Sequence, residues 1–219
     1  MKKQVFLGAM TISLFSCVSA FGQQAPAAQV VQSIDCRLND GASIAQAAAV
    51  MKSQSRDATS ASAIFLREAI FHNNFRAEYD FRIAQYYPTY AVMEARVSAR
   101  RDRPDVRMRS GARGSDVFTC DTSTLNLAIV RAIPDNDGFS GDATNMMTRF
   151  CTLNEGSSVA DAFQFASGVA ANMREAGDNS LMQVGTRSVG PAGATGASVV
   201  AGRHVVISTI PATSANWAK

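Results

Sequence analysis

The chain has 219 residues, 47% of them hydrophobic and 18% charged, the balance of a globular protein able to bury a substantial core. That composition excludes a disordered, collagenous, coiled-coil or multi-span membrane chain. A formal charge of +3 is too small for a dedicated nucleic-acid binder, and two histidines with four cysteines offer few ligands for a protein-built metal site.

Residues 1–22 read as a secretory signal: Lys2 and Lys3 form its basic start, 5–18 is an uncharged apolar run, and small residues follow. Cleavage is expected after Ala20 or Gly22. The run is too short for a comfortable membrane span. Leu14-Phe15-Ser16-Cys17 looks like a bacterial lipobox in which Cys17 takes the lipid, although Phe15 departs from the small or β-branched residue usual there. The expectation is therefore an exported protein, periplasmic or extracellular, with an outer-membrane lipoprotein as the alternative. Membrane contact is expected only through lipidated Cys17. Without the leader the chain carries 19 basic and 18 acidic residues, a net +1, so polyanions are not expected partners. Cys36, Cys120 and Cys151 remain, which outside the cytoplasm suggests one disulfide and one leftover thiol.

The first unit, 29–137, opens with a short apolar strand ending at Leu38-Asn39, followed by an Asp40-Gly41 turn. Ser43 stands where a helix N-cap belongs, with Gln46 three residues on as its capping-box partner. Ile44, Ala47, Ala48 and Met51 mark one face of that helix. Strand-like runs follow at 63–72 and 79–87, joined by a hairpin around Asn73-Asn74. The second run alternates, with Tyr79, Phe81, Ile83, Gln85 and Tyr87 on one side and Asp80, Arg82, Ala84 and Tyr86 on the other. Pro88-Thr89 ends it, 90–101 reads as a second helix, and 125–133 as a last strand after an Arg/Gly/Pro-rich loop. The order is β-α-β-β-α-β.

The second unit, 146–219, repeats this opening. Residues 36–47 and 151–162 are identical at seven of twelve positions at a constant offset of 115, with Asp40/Glu155 and Ile44/Val159 conservative besides. So long a period indicates a domain duplication rather than a solenoid. Ser158 and Asp161 match Ser43 and Gln46. Val159, Ala162, Phe163, Ala166, Val169, Ala170 and Met173 trace one buried stripe of the helix. Strand-like runs at 181–189 and 199–210 follow, with Pro211 answering Pro88 and about eight residues inserted near 190–202. A second helix and a fourth strand have no counterpart before Lys219. Either the chain is a fragment, the preferred reading, or a partner completes the sheet.

A β-α-β-β-α-β order is the ferredoxin-like split unit, with strands in the order 4-1-3-2 and both helices on one face. Two such units in tandem, their open faces packed sheet to sheet, resemble the dimeric α/β-barrel superfamily as a pseudo-dimer. The fold class expected is α+β, with the second unit incomplete. The resemblance rests on element order and the repeated Cys-x-Leu-Asn-[Asp/Glu]-Gly segment and covers roughly residues 29–219. It implies that strands 1 and 4 are antiparallel neighbours, so that Cys36 and Cys120 approach disulfide distance while Cys151 stays unpaired. The alternative is that all three are small buried apolar residues.

The superfamily includes haem-binding members with histidine ligands, which draws attention to His72 and His204, both at strand termini where an exposed histidine needs no special reason. It also includes cofactor-free monooxygenases that hold substrate between sheet and helices with Asn, His, Trp or Tyr side chains. The candidate ligand-binding residues on that basis are His72, Tyr86, Arg82, Asn39 and Asn154. The bland alternative is that the asparagines serve their own turns and the tyrosines pack with hydroxyls at the rim. No cofactor and no metal are expected.

Seven arginines between 94 and 113 suggest either a patch for an anionic partner or a solvated helix end, the second being preferred. The collagen-like triplets at 190–198 are too few for a triple helix and read as a loop. The function expected is small-ligand binding or scaffolding by an exported protein. The alternatives are a cofactor-independent monooxygenase or isomerase acting on a small organic molecule, and an assembly-forming protein using the open sheet edge as a homo-oligomer.

Overall fold

The computed structural model describes residues 27–53, 57–68, 79–101, 114–133, 145–189 and 203–211. The leader with Cys17, His72 in the expected hairpin, the 190–202 insertion and Trp217 lie outside the described residues.

The protein is mixed α+β. In chain order the elements are β1 (Gln29–Leu38), α1 (Ile44–Lys52), β2 (Ala63–Glu68), β3 (Phe81–Tyr87), α2 (Tyr90–Arg101), the single turn α3 (Gly114–Val117), β4 (Phe118–Ala132), β5 (Met147–Thr152), α4 (Val159–Glu175), β6 (Leu181–Val189) and β7 (His204–Ile210). The seven strands among the described residues join one antiparallel sheet in the order β2-β3-β1-β4-β6-β7-β5. In both halves the strand that follows the first helix, the next strand and the strand that precedes that helix stand in the same spatial order.

The repeated segment folds the same way twice. Ala42 N–H donates to the Asn39 carbonyl at 2.9 Å, and Ser157 N–H donates to that of Asn154 at 3.0 Å. Gly41 and Gly156 hold φ of 76° and 79°, a left-handed turn that an L side chain would strain. Ser43 and Ser158 each close a capping box, with Gln46 and Asp161. Every residue of the α4 stripe from Val159 to Met173 packs into one cluster with Leu153, Met182, Val184 and Val205. On α1, Val50 is more deeply buried than Ala48.

The three longer helices among the described residues cover one face of the sheet. Beneath α1 lie Cys36, Phe81, Ile83 and Phe118. Beneath α2, Met93 packs with Val30 and Tyr87. The α4 cluster continues this layer. Facing the other way, Val31, Ala84, Tyr86 and Val130 pack with Ala63, Phe65 and Ala128. Both faces of β3 are therefore buried, as its alternation requires.

Two expectations are corrected. The halves do not meet as two sheets stacked face to face: β4 hydrogen-bonds to β6 along its edge, so one sheet runs through both. The physical reason is that residues 127–132 of β4 would otherwise form an open apolar edge, and pairing with β6 satisfies their backbone groups. The last strand of the first half also begins at Phe118, not 125. Its polar stretch is accommodated by an irregularity opposite Ser33–Asp35, where Thr124 Oγ1 accepts from the Asp35 N–H at 2.9 Å and donates to the Asp121 carbonyl at 2.7 Å.

Candidate functional site

The face of the sheet opposite the helices is built by every second residue of the strands. Register places Arg67, Arg82, Asp35 and Asp121 in one cross-strand row, and Phe65, Ala84, Ser33 and Asn126 in the next. Tyr86 stands opposite Ala63 on β2 and Val31 on β1. On β6 and β7 the same face carries Gln183 opposite Ser208, with Thr148 beyond on β5.

This face is concave. Gln183 Nε2 donates to the Tyr86 hydroxyl at 3.1 Å, yet β1 and β4 separate their strands. On a flat sheet those strands would lie about 14 Å apart, and side chains stand nearly perpendicular to the sheet. The contact therefore requires the sheet to curl toward its helix-free side. Both residues are 6% exposed, so the bond is well shielded from water.

Around the Tyr86 hydroxyl two polar side chains, Arg67 and Gln183, converge. Arg67 Nη2 donates to it, and its guanidinium lies 5.7 Å from the Tyr86 ring centre and 6.0 Å from that of Phe65. Phe65 and Tyr86 meet edge to face at 5.3 Å. Gln183 Oε1 lies 3.5 Å from the hydroxyl, a long contact. Ser208, also buried, sits 3.3 Å from the Thr148 hydroxyl. The Asn126 Oδ1 is buried with no hydrogen-bond partner among the described residues.

Arg82 is neutralised locally. It grips Asp35 with Nε on Oδ1 and with Nη2 on Oδ2 at 3.0 Å, and its guanidinium lies 5.2 Å from the Tyr79 ring centre. Burial opposes the Arg82 charge, but the Asp35 hydrogen bond, Tyr79 and the Asp35 charge outweigh it and hold the group above its ordinary pKa.

Of the residues chosen from the sequence, Tyr86 and Arg82 share this concave face. Asn39 and Asn154 lie at the turns before α1 and α4. Asn39 accepts from the Thr119 hydroxyl at 3.0 Å, and both backbone carbonyls close their turns. His204 begins β7, with Nδ1 3.3 Å from the Thr152 hydroxyl. Cys36 and Cys120 form a disulfide, and Cys151 is a free thiol. Arg96, from the arginine-rich stretch, pairs with Asp57 at 2.9 Å. The Thr59 and Ser60 hydrogen bonds, with a smaller contribution from Arg96, push the Asp57 carboxyl down to about 2. Arg67 and Gln183 were not singled out from the sequence. Their one signal is a polar residue set beside a short apolar run, 63–66 for Arg67 and Leu181, Met182 and Val184 for Gln183.

Among the described residues no three His, Cys, Asp or Glu side chains come together as a metal site. No helix among them is long and apolar enough to cross a membrane. No protein-family model matches the chain, and no curated protein or solved structure is significantly similar to it.

Proposed function

We propose that this is an exported small-ligand-binding protein whose ligand sits on the concave face, against Arg67, Tyr86 and Gln183. The convergence of those three side chains from three strands, β2, β3 and β6, is the observation that carries the reading. The helix-covered face supports it from the other side. There Phe81, Phe118, Met93, Met182 and Phe163 occupy the helix–sheet interface, where a monooxygenase-type pocket would otherwise lie. The Cys36–Cys120 disulfide favours an oxidising compartment, in line with export. In fold terms the same reading makes the two halves tandem ferredoxin-like units. Their common sheet curls as a barrel would, the fourth strand of the first unit pairing with the second strand of the next.

The test is a thermal-shift screen of the oxidised protein against small organic acids and neutral analogues, followed by amide chemical-shift mapping. Compounds that raise the melting temperature are expected to perturb β2, β3 and β6. Hits that perturb only the helix-covered face, or a screen with no hits, would refute this function.

One observation favours a second reading, assembly through the far edge of the sheet. On β5, an outer strand among the described residues, Phe150 is 70% exposed. Replacing it with Asp would then dissociate an oligomer measurable by light scattering, whereas a wild-type monomer would dismiss this reading.

A further inference from the structure

We propose that the concave face takes a small aromatic carboxylate, held by Arg67 and carrying a hydroxyl or amino group that reaches Asn126. This rests on the ligand-binding reading above and names the ligand class.

The two arginines of one row differ in a decisive way. Arg82, directly opposite Arg67, has Asp35 as a two-point partner. Among the described residues no carboxylate reaches Arg67, although its side chain is half-buried. A guanidinium carries five N–H donors in a planar fork, and the Tyr86 hydroxyl uses one. The remaining geometry suits an incoming carboxylate gripped at two points, the arrangement Arg82 already shows with Asp35.

Tyr86 adds a second handle. Its oxygen accepts from Arg67 and Gln183, while among the described residues its own proton has only the 3.5 Å contact with Gln183 Oε1. A carboxylate beside Arg67 offers that proton a better acceptor. Phe65, edge to face with Tyr86, supplies a wall for a flat apolar body. The row that begins with Phe65 ends at Asn126, whose buried Oδ1 lacks a donor among the described residues. A buried acceptor left unpaired is costly, and an O–H or N–H on the ligand's far end would satisfy it.

The experiment is calorimetric titration of wild type, Arg67→Gln and Asn126→Ala with 4-hydroxybenzoate, benzoate, 4-hydroxybenzyl alcohol and inorganic phosphate. Wild type is expected to prefer 4-hydroxybenzoate over the neutral alcohol at least tenfold. Arg67→Gln should remove that preference, and Asn126→Ala should remove the preference for 4-hydroxybenzoate over benzoate. A side-chain Nε–H resonance of Arg67 that moves on titration of the wild type gives a readout independent of any variant's folding. Equal binding of acid and alcohol, unchanged affinity in Arg67→Gln, or binding of phosphate alone would overturn the assigned class while leaving a ligand-binding function standing. Failure of wild type to bind any compound of the wider screen would remove the function as well.

Discussion

Cys36 and Cys120 face each other directly across the β1–β4 ladder and are covalently joined, closing a loop over a sequence separation of 84. Cys36 is 1% exposed and lies with Phe81 and Phe118 under α1. Loop-closure entropy for such a span is about 4–5 kcal/mol in the chain-entropy model, and measured values centre on roughly 2–4 kcal/mol. The double variant Cys36→Ala/Cys120→Ala is expected to lose about 2–4 kcal/mol in urea unfolding. Reductant should lower the wild-type midpoint toward that of the variant and leave the variant unmoved. A wild-type midpoint insensitive to full reduction would contradict this account.

The Tyr86–Gln183 bond links strands from the two halves of the sheet, and removing it tests whether they unfold together. Tyr86→Phe deletes an oxygen to which both Gln183 and Arg67 donate, leaving their N–H groups unmatched in a shielded place. The expected loss is about 1–3 kcal/mol. A double-mutant cycle with Gln183→Leu should give a coupling of about 0.5–1.5 kcal/mol, read from urea midpoints. A cycle that closes to zero would mean that the contact does not couple the halves.

Local chemistry in the sequence specified local structure well. Ser43 and Gln46, like Ser158 and Asp161, announce their helix starts because a cap needs only residues three apart. Residues 90–101 were legible as a helix because Pro88 stops the strand before it. The start of β4 was not legible: Asp121, Thr122, Ser123 and Thr124 read as a loop, and it is the pairing with β1 on either side of them, at 118–121 and 126–130, that makes one strand of the stretch. The candidate site was half legible. Strand alternation put Arg82 and Tyr86 on one face. Nothing in sequence spacing tells Gln183, 97 positions away, that a curled sheet will bring it to Tyr86. Likewise the edge-to-edge join depends on which strand finds the β4 edge, a matter of global packing.

Gly185 lies at that join, opposite Val130 on β4 and Val206 on β7. A Cβ there would stand 3.1 Å from Val130 Cγ2 and 3.5 Å from the Ile129 carbonyl oxygen. Val130 is buried beside Val31, Ala84 and Tyr86, and its branched side chain has little rotamer freedom to yield. Replacing Gly185 with Ala gains roughly 0.4–1 kcal/mol from a stiffer unfolded chain. Overpacking costs about 1–3 kcal/mol, so the net expectation is destabilisation by about 1–2 kcal/mol. Adding Val130→Ala should recover part of the loss relative to the two single effects summed. A Gly185→Ala protein as stable as wild type by calorimetry would show that the β4–β6 join has slack.

The two capping boxes form a matched pair in which only one partner titrates. In α1 the acceptor is the Gln46 amide, 2.8 Å from the Ser43 N–H; in α4 it is the Asp161 carboxylate, 2.7 Å from the Ser158 N–H and hydroxyl. The Ser158 hydroxyl, then its backbone N–H, hold the Asp161 carboxyl below its ordinary 3.8, against a smaller opposing effect of burial. A folded pKa below the unfolded one means stability that is fully present above about pH 4 and is lost as pH falls through the folded value. Gln46 has no proton to gain. Replacing either serine with Ala should cost about 1 kcal/mol at neutral pH. Between pH 5 and about pH 2 the Ser158→Ala cost should shrink, because protonation of Asp161 has already weakened the box it belongs to. Over the same interval the Ser43→Ala cost should stay constant, since only neutral groups make that box. Urea unfolding of wild type and both variants across this range reads the difference directly. Parallel pH profiles for the two costs would show that the Asp161 carboxylate contributes nothing to its cap.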